Sequence, residues 1–70
     1  MSKIKEIRKS SGLTQGQLSE ASGVNIRMIQ FYEQGYKDIN KAQGIILYKL
    51  SQALNCSMED LLEIKKEVGE

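Results

Sequence analysis

The sequence predicts an all-α fold, and three features of its 70 residues support this prediction. The chain contains no proline, a residue that would interrupt the hydrogen bonds of a helix interior. Apolar residues recur in short runs with the spacing of one helix face, and glycines fall between several of these runs. We therefore expect five short helices and no strands.

The first helix is expected to begin near Ser2 and to end at Ser11-Gly12. Glycine at this position supplies the left-handed backbone conformation that commonly ends a helix. Ile4 and Ile7 would then face inward.

The second helix has a sharper start signal. Thr14 and Gln17 have the spacing of a capping box, in which each side chain bonds to the backbone N–H of the other residue. We expect this helix to place Leu18 and Ala21 inward and to end at Gly23.

The third helix is expected to run from an Asn25 N-cap to about Gln34 and to be stopped by Gly35. A gap of about three residues after the second helix is typical of a helix-turn-helix, although a simple packing hairpin has the same spacing. The inner face would carry Val24, Met28, Ile29 and Tyr32. The outer face would carry Ile26, Arg27, Gln30 and Gln34, with Phe31 at the boundary.

A polar connection, residues 36–41, is expected to lead to a fourth helix capped by Asn40. Ser57 is expected to cap a fifth helix over residues 58–68, in which Lys65-Lys66 follow an acidic first turn and so suit the helix dipole. The core residues assigned to these helices are Ile46, Leu47, Leu50, Leu54, Leu61 and Leu62. Apolar residues that the core need not consume are Ile45, Tyr48, Ile64 and Val68.

The composition argues against several classes of function. The chain has no histidine and one cysteine, so it lacks a disulfide, a Cys/His zinc site and the commonest general base. We expect no enzyme activity, no metal and no cofactor. The longest apolar run, residues 44–48, is too short to span a membrane, and we expect a single cytoplasmic domain over residues 1–70 without membrane association.

Charge is unevenly distributed along the chain. Residues 1–49 hold eight Lys/Arg against four Asp/Glu, a net +4, whereas residues 50–70 hold two against five, a net −3. This asymmetry suits a polyanionic partner, and ordinary solvated helices show similar drifts.

Residues 13–35, LTQGQLSEASGVNIRMIQFYEQG, resemble the helix-turn-helix of the lambda repressor and Cro-like family of transcriptional regulators, also called the XRE family. Residues 49–63 resemble the fourth and fifth helices of that family. The matching features are Leu13-Thr14-Gln15, Leu18, Gly23-Val24, Ile29, Glu33 and Gly35. The resemblance implies a compact five-helix DNA-binding domain.

The resemblance also implies roles for individual residues. Gln15 matches a glutamine that contacts a phosphate at the start of the second helix, where the helix dipole suits an anion. Arg8 and Glu33 match an ion pair which, as an exposed pair, would contribute about 0 to 1 kcal/mol. The family's base-contacting positions are matched here by Ile26, Arg27 and Phe31, and Gln30 lies near them as a fourth expected base contact. Apart from the resemblance, residues expected near the groove edge are further candidates for phosphate contacts: Thr14, Asn25, Gln34, Lys37 and Lys41. The alternative for the two lysines is an ordinary solvated loop position.

Arg27 can donate to both O6 and N7 of guanine, and the alternative for it is a phosphate contact. Gln30 can pair with N6 and N7 of adenine if its side chain reaches them. Ile26 and Phe31 depart from the polar residues common at their positions and would suit thymine methyl groups. Phe31 could instead pack in the core, and a protein partner could cover Ile26. Ser19 stands where the family usually has alanine, and we expect its hydroxyl to bond to a carbonyl of the previous turn.

These patterns predict sequence-specific binding of double-stranded DNA by a homodimer on a palindromic operator, with half-sites about 34 Å apart. No small-molecule ligand is evident. The alternative is a helix-turn-helix used for protein–protein interaction, as an adaptor or an antitoxin-like partner. A third possibility is that the chain is the binding module of a larger protein.

Overall fold

The computed structural model describes residues 2–63, which form five α-helices and one short 3₁₀ helix. In chain order these are α1 (Lys3–Ser10), α2 (Gln15–Ser22), α3 (Ile26–Gln34), the 3₁₀ helix (Ile39–Lys41), α4 (Gly44–Leu54) and α5 (Met58–Leu61). No strand occurs in this range, so the predicted all-α fold is confirmed. None of these helices is long and apolar enough to cross a membrane.

Side-chain caps begin four of the helices at the predicted residues. Thr14 and Gln17 form the expected capping box, with the Gln17 N–H donating to Thr14 Oγ1 at 3.1 Å and the Thr14 N–H donating to Gln17 Oε1 at 2.9 Å. Ser2, Asn25 and Ser57 accept backbone N–H bonds at the starts of α1, α3 and α5. The predicted starts are therefore confirmed for these elements.

The predicted cap of α4 is wrong. The helix begins at Gly44, and the preceding Gln43 makes no side-chain cap bond. Asn40 lies in the 3₁₀ helix, and its side-chain amide pairs with the backbone of Glu63, donating to the carbonyl oxygen at 3.0 Å and accepting from the N–H at 2.8 Å. An asparagine amide resembles a peptide group, so it can bond to a distant backbone segment as readily as it can cap a helix.

The fifth helix is shorter than predicted. It ends at Leu61, because Leu62 has extended backbone angles of φ −76° and ψ 144°. Three features assigned to this segment, Ile64, Lys65-Lys66 and Val68, lie outside the described residues.

Within residues 2–63 the buried apolar side chains form one cluster, to which α1 to α5 all contribute. Its buried apolar side chains are Ile4, Leu18, Val24, Ile29, Tyr32, Ile39, Leu47, Leu50, Leu54 and Leu61. Ile7, Met28, Ile46 and Leu62 are half-buried around it. In this arrangement α2 packs against α3 and α4, and α1 packs against α3 and α5.

Two positions differ from the predicted core. Ala21 is exposed, whereas Ser22 is buried, because α3 and α4 cover the side of α2 that carries Leu18 and Ser22. Ile39 is buried although it lies within a segment predicted to be a polar connection. The 3₁₀ helix therefore adds a side chain to the core between α3 and α4.

Candidate nucleic-acid interface

The turn between α2 and α3 is fixed by backbone conformation and by side-chain hydrogen bonds. Gly23 has φ 76°, the left-handed conformation that glycine adopts at little cost. Val24 follows with its side chain buried, and its N–H donates to Ser22 Oγ at 3.1 Å. The Ser19 hydroxyl donates forward to the Val24 carbonyl oxygen at 2.6 Å, so the expected bond to the previous turn is wrong. Each contact limits how α3 is oriented relative to α2.

The inner face of α3 is anchored in the core while its outer face is open. Ile29 and Tyr32 are buried. Arg27 and Gln34 are exposed, and Ile26 retains 37% of its accessible surface. The outer face of α3 is therefore an exposed surface on which a partner could bind.

Phe31 lies at the boundary between the two faces and is half-buried. Its ring packs edge-on against that of Tyr36, with centroids 6.1 Å apart and planes at 85°. Tyr36 is 76% exposed and was not assigned a role from the sequence. The sequence feature that could have indicated its contact with Phe31 is its position directly after Gly35, the glycine that ends α3.

Arg8 and Glu33 form an ion pair that joins α1 to the last turn of α3. The Arg8 Nε donates to Glu33 Oε2 at 2.6 Å, and Nη2 donates to Oε1 at 3.1 Å. The third nitrogen, Nη1, donates to the Leu13 carbonyl oxygen at 2.8 Å. The side chains are 9% and 2% exposed, so the expectation of an exposed pair is wrong. Burial makes the pair sensitive to loss of either partner.

Gln15 extends this pair toward the outer face of α3. Its Nε2 donates to Glu33 Oε1 at 2.9 Å, and its Oε1 accepts from Gln30 Nε2 at 3.4 Å. Arg8, Glu33, Gln15 and Gln30 thus form one connected set, called the polar network below. Four residues predicted separately for structural, phosphate-contacting and base-contacting roles are brought together in it.

The Glu33 carboxyl remains ionised within the polar network. Burial raises its pKa, but hydrogen bonds from Arg8 and Gln15 and the positive charges of Arg8 and Lys5 outweigh burial. The resulting pKa lies below the ordinary value of 4.5. At neutral pH the group therefore accepts hydrogen bonds and donates none.

The other predicted phosphate contacts lie at the surface around α3. They are Thr14, Asn25, Gln34, Lys37 and Lys41, all exposed. Thr14 and Asn25 use their side-chain oxygens as caps. Among the described residues the ion pair is Arg8–Glu33, which leaves Lys37 and Lys41 unpaired with carboxylates in this range. Their assignment to phosphates stays a prediction.

The chain was compared with known protein families, curated proteins and solved structures. A family model described as helix-turn-helix matches residues 4–61, a range that includes the turn at Gly23 and extends from α1 to α5. No curated protein and no solved structure matches the chain. The family match covers most of the chain and coincides with the observed arrangement of α2, turn and α3. The chain belongs to the helix-turn-helix family of lambda repressor and Cro-like (XRE-family) DNA-binding regulators.

Proposed function

We propose that this protein binds double-stranded DNA in a sequence-specific manner by placing α3 in the major groove. The observation that carries the proposal is the two-sided construction of α3, whose inner face is anchored while its outer face is open. The major groove is about 12 Å wide and admits an α-helix whose side chains read the base edges. Regulation would then follow from occupation of an operator.

Arg27 and Gln30 are the proposed polar readers. Arg27 is exposed on the first turn of α3, and its guanidinium can donate to guanine O6 and N7 together. Ile26 and Phe31 offer apolar surface beside them, which suits contact with thymine methyl groups. Together they would read a few adjacent base pairs.

Phosphate contacts would orient α3 on the duplex. Gln15 is the first residue of α2, and a helix N-terminus favours an anion. Lys37 and Lys41, in the segment that follows α3, are exposed and would contact the backbone at the groove edge. These contacts would contribute affinity without sequence preference.

We propose that the protein acts as a homodimer on a palindromic operator. A single helix reads too few base pairs for selectivity, and two copies related by a two-fold axis would read half-sites about 34 Å apart. Ile45 and Tyr48 on α4 are 54% and 52% exposed and offer apolar surface for a second copy.

A second candidate function is recognition of a protein partner by the same face. Ile26 is 37% exposed, and the Tyr36 ring, 76% exposed, lies against Phe31. Apolar side chains at reading positions would suit a protein surface, as in an adaptor or an antitoxin-like protein. The two candidates differ in their response to salt.

The salt dependence of duplex binding, with Arg27→Ala as the informative variant, tests the proposal. The logarithm of the binding constant should fall against the logarithm of salt concentration with a slope of about −0.9 per phosphate contact. On the preferred site Arg27→Ala should cost about 1 to 3 kcal/mol and relax preference at one base pair. Lys37→Ala is the control, since loss of a phosphate contact weakens all sequences equally.

One result would contradict the proposal, and a second would change the role assigned to Arg27. Duplex binding that does not weaken as the salt concentration rises would favour the protein-partner function, because apolar contacts respond little to salt and phosphate contacts respond strongly. Equal loss on every sequence in Arg27→Ala would assign Arg27 to a phosphate instead of a base.

A further inference from the structure

We infer that Glu33, acting through Gln15, determines which atoms of the Gln30 amide face the DNA, and thereby makes Gln30 select adenine over guanine. The inference rests on the proposed function, because it concerns how α3 reads a base. It assigns Gln15 and Glu33 as positioning residues in addition to their other roles.

Glu33 fixes the orientation of the Gln15 amide. The oxygen and nitrogen of an amide are similar in shape, so their assignment has to come from hydrogen-bond partners. Glu33 is ionised and already accepts from Arg8 at both oxygens, so it has no hydrogen to donate. Gln15 must therefore direct its NH₂ group to Glu33 Oε1, 2.9 Å away. The opposite orientation would place two acceptors in contact.

The oriented Gln15 amide in turn orients the amide of Gln30. With its NH₂ group directed to Glu33, Gln15 turns its Oε1 toward Gln30. The Gln30 amide nitrogen lies 3.4 Å from that oxygen, and only its NH₂ end can complete a bond there. This contact is longer than the 2.9 Å bond to Glu33, so it biases the Gln30 amide less strongly than Glu33 biases Gln15.

Gln30 keeps one hydrogen-bond donor and one acceptor for a base. One amide hydrogen is used by Gln15, which leaves the other hydrogen and Oε1. Adenine presents an acceptor at N7 and a donor at N6, so it matches this remaining pair. Guanine presents acceptors at both N7 and O6 and would need both amide hydrogens. The polar network therefore disfavours guanine at this position.

Measurement of base preference in Gln15→Met tests the inference. Methionine keeps the length of the side chain but removes both hydrogen bonds of the amide. Dissociation constants would be measured on duplexes that carry adenine or guanine at the base pair whose preference is lost in Gln30→Met. The adenine-to-guanine ratio is the affinity for the adenine duplex divided by the affinity for the guanine duplex. We expect this ratio to fall about fivefold or more in Gln15→Met. Preference at the base pair read by Arg27 should remain.

Two controls separate this effect from other roles of Gln15. Loss of a phosphate contact would lower affinity for all duplexes by the same factor and leave the ratio unchanged. Because Gln15 acts on base preference through Gln30, Gln15→Met should have no effect on the ratio when Gln30 is already methionine. A double-mutant cycle measures this dependence. Gln52→Met, an exposed position on α4, is the matched control for the substitution itself.

The outcomes distinguish the inference from the proposed function. A selective wild-type protein whose adenine-to-guanine ratio is unchanged in Gln15→Met would overturn the inference alone. Guanine preference at the Gln30 position in the wild type would do the same. A wild-type protein that selects no sequence would overturn both the inference and the proposed function.

Discussion

Replacing Arg8 with methionine would leave the Glu33 carboxylate buried without its counterion. The change removes two hydrogen bonds to Glu33, of 2.6 and 3.1 Å, and one of 2.8 Å to the Leu13 carbonyl oxygen. Of the donors described around the carboxylate, Gln15 would remain. The Glu33 side chain is 2% exposed, so water cannot replace the lost guanidinium without rearrangement of α3.

The burial of the pair sets the size of the effect. Removing one partner of a buried ion pair costs about 3 to 5 kcal/mol. A domain of this length has a free energy of unfolding of about 4 to 10 kcal/mol. Arg8→Met should therefore remove about half of the stability and lower the melting temperature by about 15 °C or more.

Urea unfolding followed by circular dichroism at pH 7 measures this loss. The double variant Arg8→Met/Glu33→Met should be much more stable than the sum of the two single variants predicts, since it leaves no buried charge. Lys9→Met on the same helix is the exposed control and should change stability by about 0.5 kcal/mol or less. A loss below about 1 kcal/mol in Arg8→Met, or additive losses in the double variant, would show that the buried pair does not stabilise the domain in this way.

Two further predictions concern pH and the turn. The pKa of Glu33 is lowered on folding, so its ionised form contributes stability that is present above pH 4.5 and is lost as the pH falls through the folded-state pKa. The difference in unfolding free energy between wild type and Glu33→Gln should be constant from about pH 6 to 7 and shrink on acidification; a constant difference down to about pH 2 would contradict it. Gly23→Ala should cost about 1 kcal/mol through backbone strain alone, because φ is 76° and an added Cβ meets no atom within 4 Å. Thermal unfolding checks this, with Gly16→Ala as the control that should cost nothing, and equal stability of the two variants would contradict it.

The helix starts could be predicted because they depend on local chemistry. The capping box of Thr14 and Gln17 and the N-cap at Asn25 each involve residues two or three positions apart. Gly23 and Gly35 end their helices for an equally local reason, a backbone conformation that other residues adopt at a cost. Caps and helix-ending glycines of this kind can be recognised in the sequence without knowledge of the fold.

The sequence-based predictions were wrong where the position of a residue depends on contacts with residues far away in the chain. Asn40 was predicted to cap a helix, but its amide bonds to Glu63, 23 positions away. Ser22, and not the predicted Ala21, lies on the inner face of α2, because the neighbouring helices determine which side of the helix is covered. Neither choice has a local signal.

The candidate site shows the same limit. The resemblance to known regulators implied that Arg8 pairs with Glu33, but burial of the pair depends on where α1 and α3 meet. The contacts from Gln15 to Glu33 and to Gln30 join residues 18 and 15 positions apart. They became visible only when α2 and α3 were placed side by side.

Whether α3 reads DNA sequence can be measured by selecting bound duplexes from a random DNA library at about physiological salt and sequencing them. The purified chain should enrich an inverted repeat whose half-sites are separated by one helical turn, about 34 Å. Arg27→Ala in the same selection should lose preference at one base pair per half-site. Absence of enrichment by the wild-type chain would contradict the claim that α3 reads DNA, and Ile26 would then be the first residue to test for a protein partner.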